Sequence, residues 1–250
     1  MGEKKYSIED IQLFHDQCGD CVASEAYGKW GFESKRRRIV EKWLNNICEG
    51  GSSIVLDVGS AHGQLTRPVA KKSKVLALEL RGEYLLCARQ NGLIPIRCNV
   101  AEGIPLADEA ADVVVAAEIL EHVLRPEELI AECHRVLKPK GKLIVTTPNL
   151  ASLLSIIYIV FRDLPCPAVF QDIHFRFFTF RSLGRLLRNF GFSIIGTATN
   201  EVLPGYAARY IPKIGMPICK ALDFLNVFLN APFKRFGLNV MLLAQKEERR

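Results

Sequence analysis

The stretch Val55-Leu56-Asp57-Val58-Gly59-Ser60-Ala61-His62-Gly63 decides the fold. Its first four residues read as a buried strand, and the small residues behind them read as a tight turn. An amphipathic stretch follows from Gln64 and is expected to be a helix. Small residues permit backbone angles closed to bulkier ones, and they let main-chain N–H groups come close to a ligand. Strand–turn–helix units of this kind open many nucleotide-binding parallel sheets. The spacing of Gly59, Ala61 and Gly63 does not fit the Gly-x-Gly-x-x-Gly of dinucleotide-binding dehydrogenases.

Further strands arrive at the intervals such a sheet needs. Val75-Leu76-Ala77-Leu78 reads as a second buried strand ending in Glu79, one strand–helix–strand step beyond Asp57. A carboxylate at that strand end can accept from both hydroxyls of a ribose. Ile94-Pro95-Ile96-Arg97-Cys98 reads as a short third strand leading into Asn99-Val100. Asp112 to Ala117 is apolar on both faces, as a central parallel strand is, and Glu118-Ile119-Leu120-Glu121-His122 follows it. A helix over 127–137 closes at Lys138-Pro139-Lys140-Gly141. Leu143 to Thr147 is the fifth strand, followed by Pro148-Asn149.

Residues 57–63 resemble the first motif of the class I S-adenosylmethionine-dependent methyltransferases, an acidic residue followed by Gly-x-Gly-x-Gly, with Ala61 in the middle glycine's place. Ala61 then needs a negative φ or bears a small conformational cost. Cys98-Asn99 stands where that family usually has Gly-Asp. The run 136–149 resembles its Leu-Lys-Pro-Gly-Gly and the strand ending in Thr-Pro-Asn, with Lys140 replacing a glycine. The resemblance extends from Ser52 to Asn149. It implies an α/β fold with a single Rossmann-like seven-stranded methyltransferase sheet of order 3-2-1-4-5-7-6 and helices on both faces. It also implies an N-terminal helical cap over 1–50 and a methyltransferase domain over 51–250, with helical insertions at about 150–178 and 201–235, after strands five and six.

The resemblance further implies S-adenosyl-L-methionine as cofactor, bound by Asp57, Gly59, Ser60, Ala61, Gly63, Glu79, Leu80, Asn99, Val100 and Glu118. Glu79 would hold the ribose, and the Asn99 oxygen with the Val100 N–H would hold the adenine. Asp57 would order the loop or contact the methionine moiety through water.

Such a cofactor carries its own electrophile, a methyl on a sulfonium. The protein contributes orientation and, for a hydroxyl acceptor, a proton acceptor near neutral pH. His122 and His174 are the candidate bases, and Glu118 lies in the segment that lines the transfer cleft. His174 opens a segment of aromatics followed by Thr179, a helix cap, and by Gly191-Phe192 entering strand six. Glu118-x-x-Glu121-His122 could turn two carboxylates and an imidazole toward one point, a donor set that suits a divalent ion. Quinone O-methyltransferases and small-RNA 3′-end 2′-O-methyltransferases use a pattern of this kind, the latter with a further His that His174 could imitate. Glu-His at this place is also widespread in metal-free relatives, and no resident metal is expected. No Asp/Asn-Pro-Pro-Tyr motif, the mark of amino-group methylation on bases or glutamine, follows strand four.

With 250 residues, 49% of them hydrophobic, the chain can hold one large domain with its own core. Its eight cysteines stand singly except for Cys18-x-x-Cys21 and read as reduced thiols. No apolar run reaches the roughly 18 residues of a membrane span. A cytoplasmic location is expected, with peripheral membrane contact as an extension of it. Net charge is +6, much of it in Lys35-Arg36-Arg37-Arg38 and in Arg181, Arg185 and Arg188. Both clusters read as solvated helix faces or as attraction to an anionic partner. No RNA-recognition signature accompanies them, so nucleic acid is not the expected partner. Tyr27 and Trp30 could gate the cleft. The segments 150–161 and 218–229 are almost continuously apolar. They read as buried helices, as an oligomer contact, or as a wall meeting a lipid-like acceptor or a membrane. The function expected is methyl transfer to a small-molecule acceptor, an oxygen on a lipid, quinone, glycan or other metabolite. RNA 2′-O-methylation and a catalytically silent, partner-binding protein are the alternatives.

Overall fold

The computed structural model describes residues 31–166, 169, 171, 173–203, 215–229 and 232–248. Its strands are β1 (Ile54–Val58), β2 (Lys74–Glu79), β3 (Ile94–Arg97), β4 (Ala111–Ala117), β5 (Leu137–Pro148), β6 (Phe192–Ala198) and β7 (Asn239–Lys246). They form one sheet in the order β3-β2-β1-β4-β5-β7-β6, the order that the resemblance implied. Strand β7 runs antiparallel to β5 and β6, and all other pairs are parallel. The helices are α1 (Gly31–Ile47), α2 (Gly82–Gln90), α3 (Pro126–Val136), α4 (Leu153–Arg162), α5 (Phe180–Asn189) and α6 (Gly215–Leu229).

Alternate side chains of a strand leave opposite faces, so a central sheet feeds two cores. Leu56 and Val58 of β1, with Val114 and Ala116 of β4, enter one core, where α3 contributes Leu129, Ile130 and Cys133 and α5 contributes Leu183 and Leu187. Val55, Val113 and Val115 enter the other, closed by Val40 and Leu44 of α1 and Ala88 of α2. Helix α1 is therefore part of the packed domain. Pro126 occupies the first turn of α3, with Glu127 and Glu128 beside it, while His134 and Arg135 lie in its last turn, all favourable to the helix dipole. Thr179 caps α5 in a reciprocal arrangement with Ser182.

Three details depart from expectation. The stretch after Gln64 is not an α-helix but a series of turns with a 3-10 turn at Arg67–Val69. Pro68 lacks the N–H that would bond to the Gln64 carbonyl, and the Thr66 hydroxyl is drawn inward to Asp57 Oδ2 at 2.6 Å. Strand β5 starts at Leu137, directly after α3, and its ladder with β4 slips between Ala111 and Val113. Within that irregular stretch Lys140 takes φ +63°, a left-handed conformation that favours glycine, the residue the resembled motif has at this place. Finally, the first basic cluster is not a solvated face throughout. Lys35 pairs with Glu201 at 2.7 Å, Arg37 with Glu41 at 2.6 Å, and Arg36 reaches Glu118. Arg181, Arg185 and Arg188 do lie exposed on α5. Cys18, Cys21, Tyr27 and Trp30 lie outside the described residues.

Candidate active site

The turn after β1 has an alternating backbone. Gly59, Ala61 and Gly63 take φ of +69°, +44° and +69°. This explains the spacing of the three small residues, since a left-handed φ costs an L-residue about 1–2 kcal/mol. A Cβ at Gly59 would also lie 2.8 Å from Ile119 Cδ1, so the turn sits hard against the segment that follows β4. Ala61 bears the conformational cost. Ala61→Gly should raise stability by about 0.5–1 kcal/mol, the relieved strain less the extra freedom of glycine in the unfolded chain. A urea midpoint that stays level or falls would show that Ala61 is not strained.

Four N–H groups of this turn bond within the protein. Gly59 and Ser60 donate to the Leu78 carbonyl at 2.9 and 3.0 Å, and Gly63 donates to that of Ser60 at 2.8 Å. Ala61 donates to Glu79 Oε2 at 2.9 Å. The other Glu79 oxygen accepts from the N–H of Leu80 at 2.8 Å and of Arg81 at 3.1 Å. Three backbone donors therefore aim the carboxylate, and each oxygen keeps further lone-pair capacity. The Ser60 hydroxyl is buried without a hydrogen-bond partner within the protein. Asn99 folds back on its own turn, its oxygen accepting from Ala101 N–H at 3.1 Å and its amide donating to Glu102 at 3.0 Å. Val100 packs into the core. Asp57, almost fully buried, has a carboxyl pushed up to about 7, chiefly by burial; the Thr66 hydroxyl opposes the shift and the charge of Glu79 adds to it.

Beyond β4, Glu118 adopts φ +53°, an uncommon conformation for a non-glycine residue. Its carboxylate accepts from Thr146 Oγ1 at 2.7 Å, from Asn239 Nδ2 at 3.2 Å, and from Arg36 Nη1 at 2.9 Å. Strands β5 and β7 and helix α1 thus converge on one side chain. Sequence reasoning missed Arg36, Thr146, Asn239 and Thr66. Thr146 stood in the recognised strand end, but Arg36 was masked by its charge run.

A 3-10 turn at Leu120–His122 follows, and the segment before α5 docks on it. The Glu121 carbonyl accepts from Phe175 N–H at 2.8 Å. His122 Nδ1 bonds to the Ile173 carbonyl at 3.1 Å, and His174 Nδ1 to the Val169 carbonyl at 2.7 Å. A carbonyl only accepts, so each Nδ1 carries the hydrogen and each Nε2 is the basic nitrogen of a neutral ring. The rings meet edge to face with centroids 4.8 Å apart. Glu121, His122 and His174 each bring a donor atom within 4.8 Å of the others, close enough to share a cation. Glu118 is not in that group, although its charge reaches Glu121. Burial foremost, and then the charge of Glu118, hold the Glu121 carboxyl well above the usual range.

The chain matches a family model described as a methyltransferase domain over residues 56–145. It is 33% identical over 119 residues to the mitochondrial ubiquinone biosynthesis O-methyltransferase of Mus musculus, covering 44% of this chain and 32% of that protein. It is 28% identical over 170 residues to a protein of Mycolicibacterium smegmatis named as a probable S-adenosylmethionine-dependent methyltransferase, covering 65% of this chain and 60% of that protein. The matches thus span from about a third to three fifths of these curated relatives' length. Among solved structures, Burkholderia thailandensis 1,6-didemethyltoxoflavin-N1-methyltransferase with bound 1,6-didemethyltoxoflavin and S-adenosylhomocysteine superposes with a TM-score of 0.59 at 16% identity, covering 99% of this chain and 94% of that one. At that identity the likeness speaks for the fold.

Proposed function

We propose that this chain is a class I S-adenosylmethionine-dependent methyltransferase that methylates an oxygen of a small, partly apolar molecule, a reading supported by the match at residues 56–145 and by the relatives described above. One observation carries the reading. The strained turn at 59–63, with its orphan Ser60 hydroxyl and its aimed Glu79 carboxylate, abuts Ile119, and the His122–His174 pair follows within a turn. The S-adenosylhomocysteine in the Burkholderia neighbour supports the choice of cofactor, and the name of the murine relative supports an oxygen acceptor.

The residues present fit the cofactor. Glu79 would accept from the ribose hydroxyls, Ser60 would satisfy its buried hydroxyl on the ligand, and the Val100 N–H with Asn99 would face the adenine. Asp57 orders the turn through Thr66. When bound, the cofactor supplies an activated methyl on a sulfonium. One histidine of the His122–His174 pair takes up, through Nε2, the single proton that the acceptor hydroxyl loses as its oxygen is methylated, since each Nδ1 is committed to a carbonyl. Glu118, clamped by Arg36, Thr146 and Asn239, shapes the floor of the transfer site. No metal is assigned a part.

Calorimetry with S-adenosylmethionine tests the placement. Glu79→Ala should weaken binding by about 2–3 kcal/mol, the worth of a charge-assisted bidentate contact, or about 30- to 150-fold. Unchanged affinity in a folded variant would remove Glu79 from the site. Transfer of labelled methyl to no oxygen-bearing acceptor, despite tight cofactor binding, would overturn the catalytic reading.

A further inference from the structure

We propose that α4 and α6 form a docking surface for an anionic lipid bilayer, lying in its interface without crossing it. Both helices are amphipathic in the wrong sense for a face exposed to water. In α4, Ser155 is fully buried and its N–H bonds to the capping Ser152 hydroxyl, while Val160 is 69% and Phe161 79% exposed. In α6, Asn226 is buried, accepting from the N–H of Val202 and Leu203 and donating to the Leu203 carbonyl. Its neighbours Phe224, Val227 and Phe228 are 65%, 72% and 62% exposed, on one face of the helix. Ser155 and Asn226 thus face the protein while these large apolar groups face outward, an arrangement that the hydrophobic effect opposes in water and favours against acyl chains.

Both helices attach at the same end of the sheet. Helix α4 begins just after β5, whose Pro148 pairs with Asn239 at the start of β7, the strand that α6 leads into. Asn149 ties the two connections together, its amide donating to the Arg235 carbonyl at 2.9 Å and the Gly237 carbonyl at 2.7 Å. With 10 and 15 residues, neither helix is long enough to span a bilayer, and no helix among the described residues is long and apolar enough to do so. Such lengths suit helices that lie in the interface plane.

Charge selects the occupant. Arg162 ends α4, with Asp163 next to it in the chain, and Lys234 and Arg235 follow α6, all exposed, in a chain of net charge +6. Anionic headgroups attract such a rim. A symmetric contact between two copies would instead set cationic rim against cationic rim. The inference holds whichever acceptor is methylated.

Flotation of the full chain with vesicles of phosphatidylcholine, or of an equimolar mixture with phosphatidylglycerol, tests the proposal. Binding to the mixed vesicles should exceed binding to the neutral ones by about fivefold for each rim cation and should fall as salt is added. The pair Val160→Ser/Phe161→Ser, and separately Phe224→Ser/Phe228→Ser, alter exposed positions and should each lower binding at least tenfold with circular dichroism unchanged. Absence of binding would overturn the proposal. So would binding that ignores the serine substitutions, salt and Arg162→Ala/Arg235→Ala, or a native dimer that the same serine substitutions dissolve.

Discussion

Replacing His122 or His174 by alanine is expected to lower kcat by about 10²- to 10⁴-fold while leaving cofactor affinity unchanged. The expectation comes from tautomers. Both Nδ1 atoms are committed to backbone carbonyls, so both rings present Nε2, and the edge-to-face contact places the rings within reach of one acceptor. The two substitutions should not add, because residues that handle one proton act as a unit. Exhaustive chelation should leave turnover unchanged, because the proton path runs through the two Nε2 atoms and needs no cation. Loss of turnover that Mg²⁺ or Mn²⁺ restores would instead make Glu121, His122 and His174 ligands. Full activity in either alanine variant would remove that histidine from the proton path.

The second large effect is on stability. Asp57 titrates near 7 in the folded chain against an ordinary 3.8, chiefly because it is buried. Between those two pH values the native state holds a proton that the unfolded state has released. The free energy of unfolding therefore falls as pH rises from about 4 to about 7 and is level above that. At 1.36 kcal/mol per pH unit this amounts to at most about 4 kcal/mol, a large share of a typical domain's stability. Glu121 acts in the same sense. Asp57→Asn keeps an acceptor for the Thr66 hydroxyl and cannot ionise. It should be more stable than the native chain at pH 8 and should show a shallower decline between pH 5 and pH 8. Denaturant unfolding at stepped pH measures both, and parallel profiles for the two proteins would refute the assignment.

What this chain's sequence determined by itself is the set of strands, while their order in the sheet was implied by the resemblance alone. Strand periodicity, turn residues and helix caps are written in contiguous windows, and local chemistry enforces them. The run of small residues after Asp57, the apolar run 112–117 and the Thr179 cap each stated their structure without reference to distant residues. The same local logic failed after Gln64, where Pro68 and the pull of Asp57 on Thr66 outweighed the apolar spacing. It was also incomplete at the site. Glu79 and the two histidines were legible as residue types at strand and turn ends. That Glu79 would be held by three backbone N–H groups was not. Arg36 meets Glu118 only because α1 packs beneath the sheet, and Asn239 joins them only because β7 pairs with β5. The outward face of α6 is likewise set by tertiary contacts, those of Asn226 with Val202 and Leu203. Periodicity reports that a helix has a polar side, and only packing decides whether that side meets water or protein.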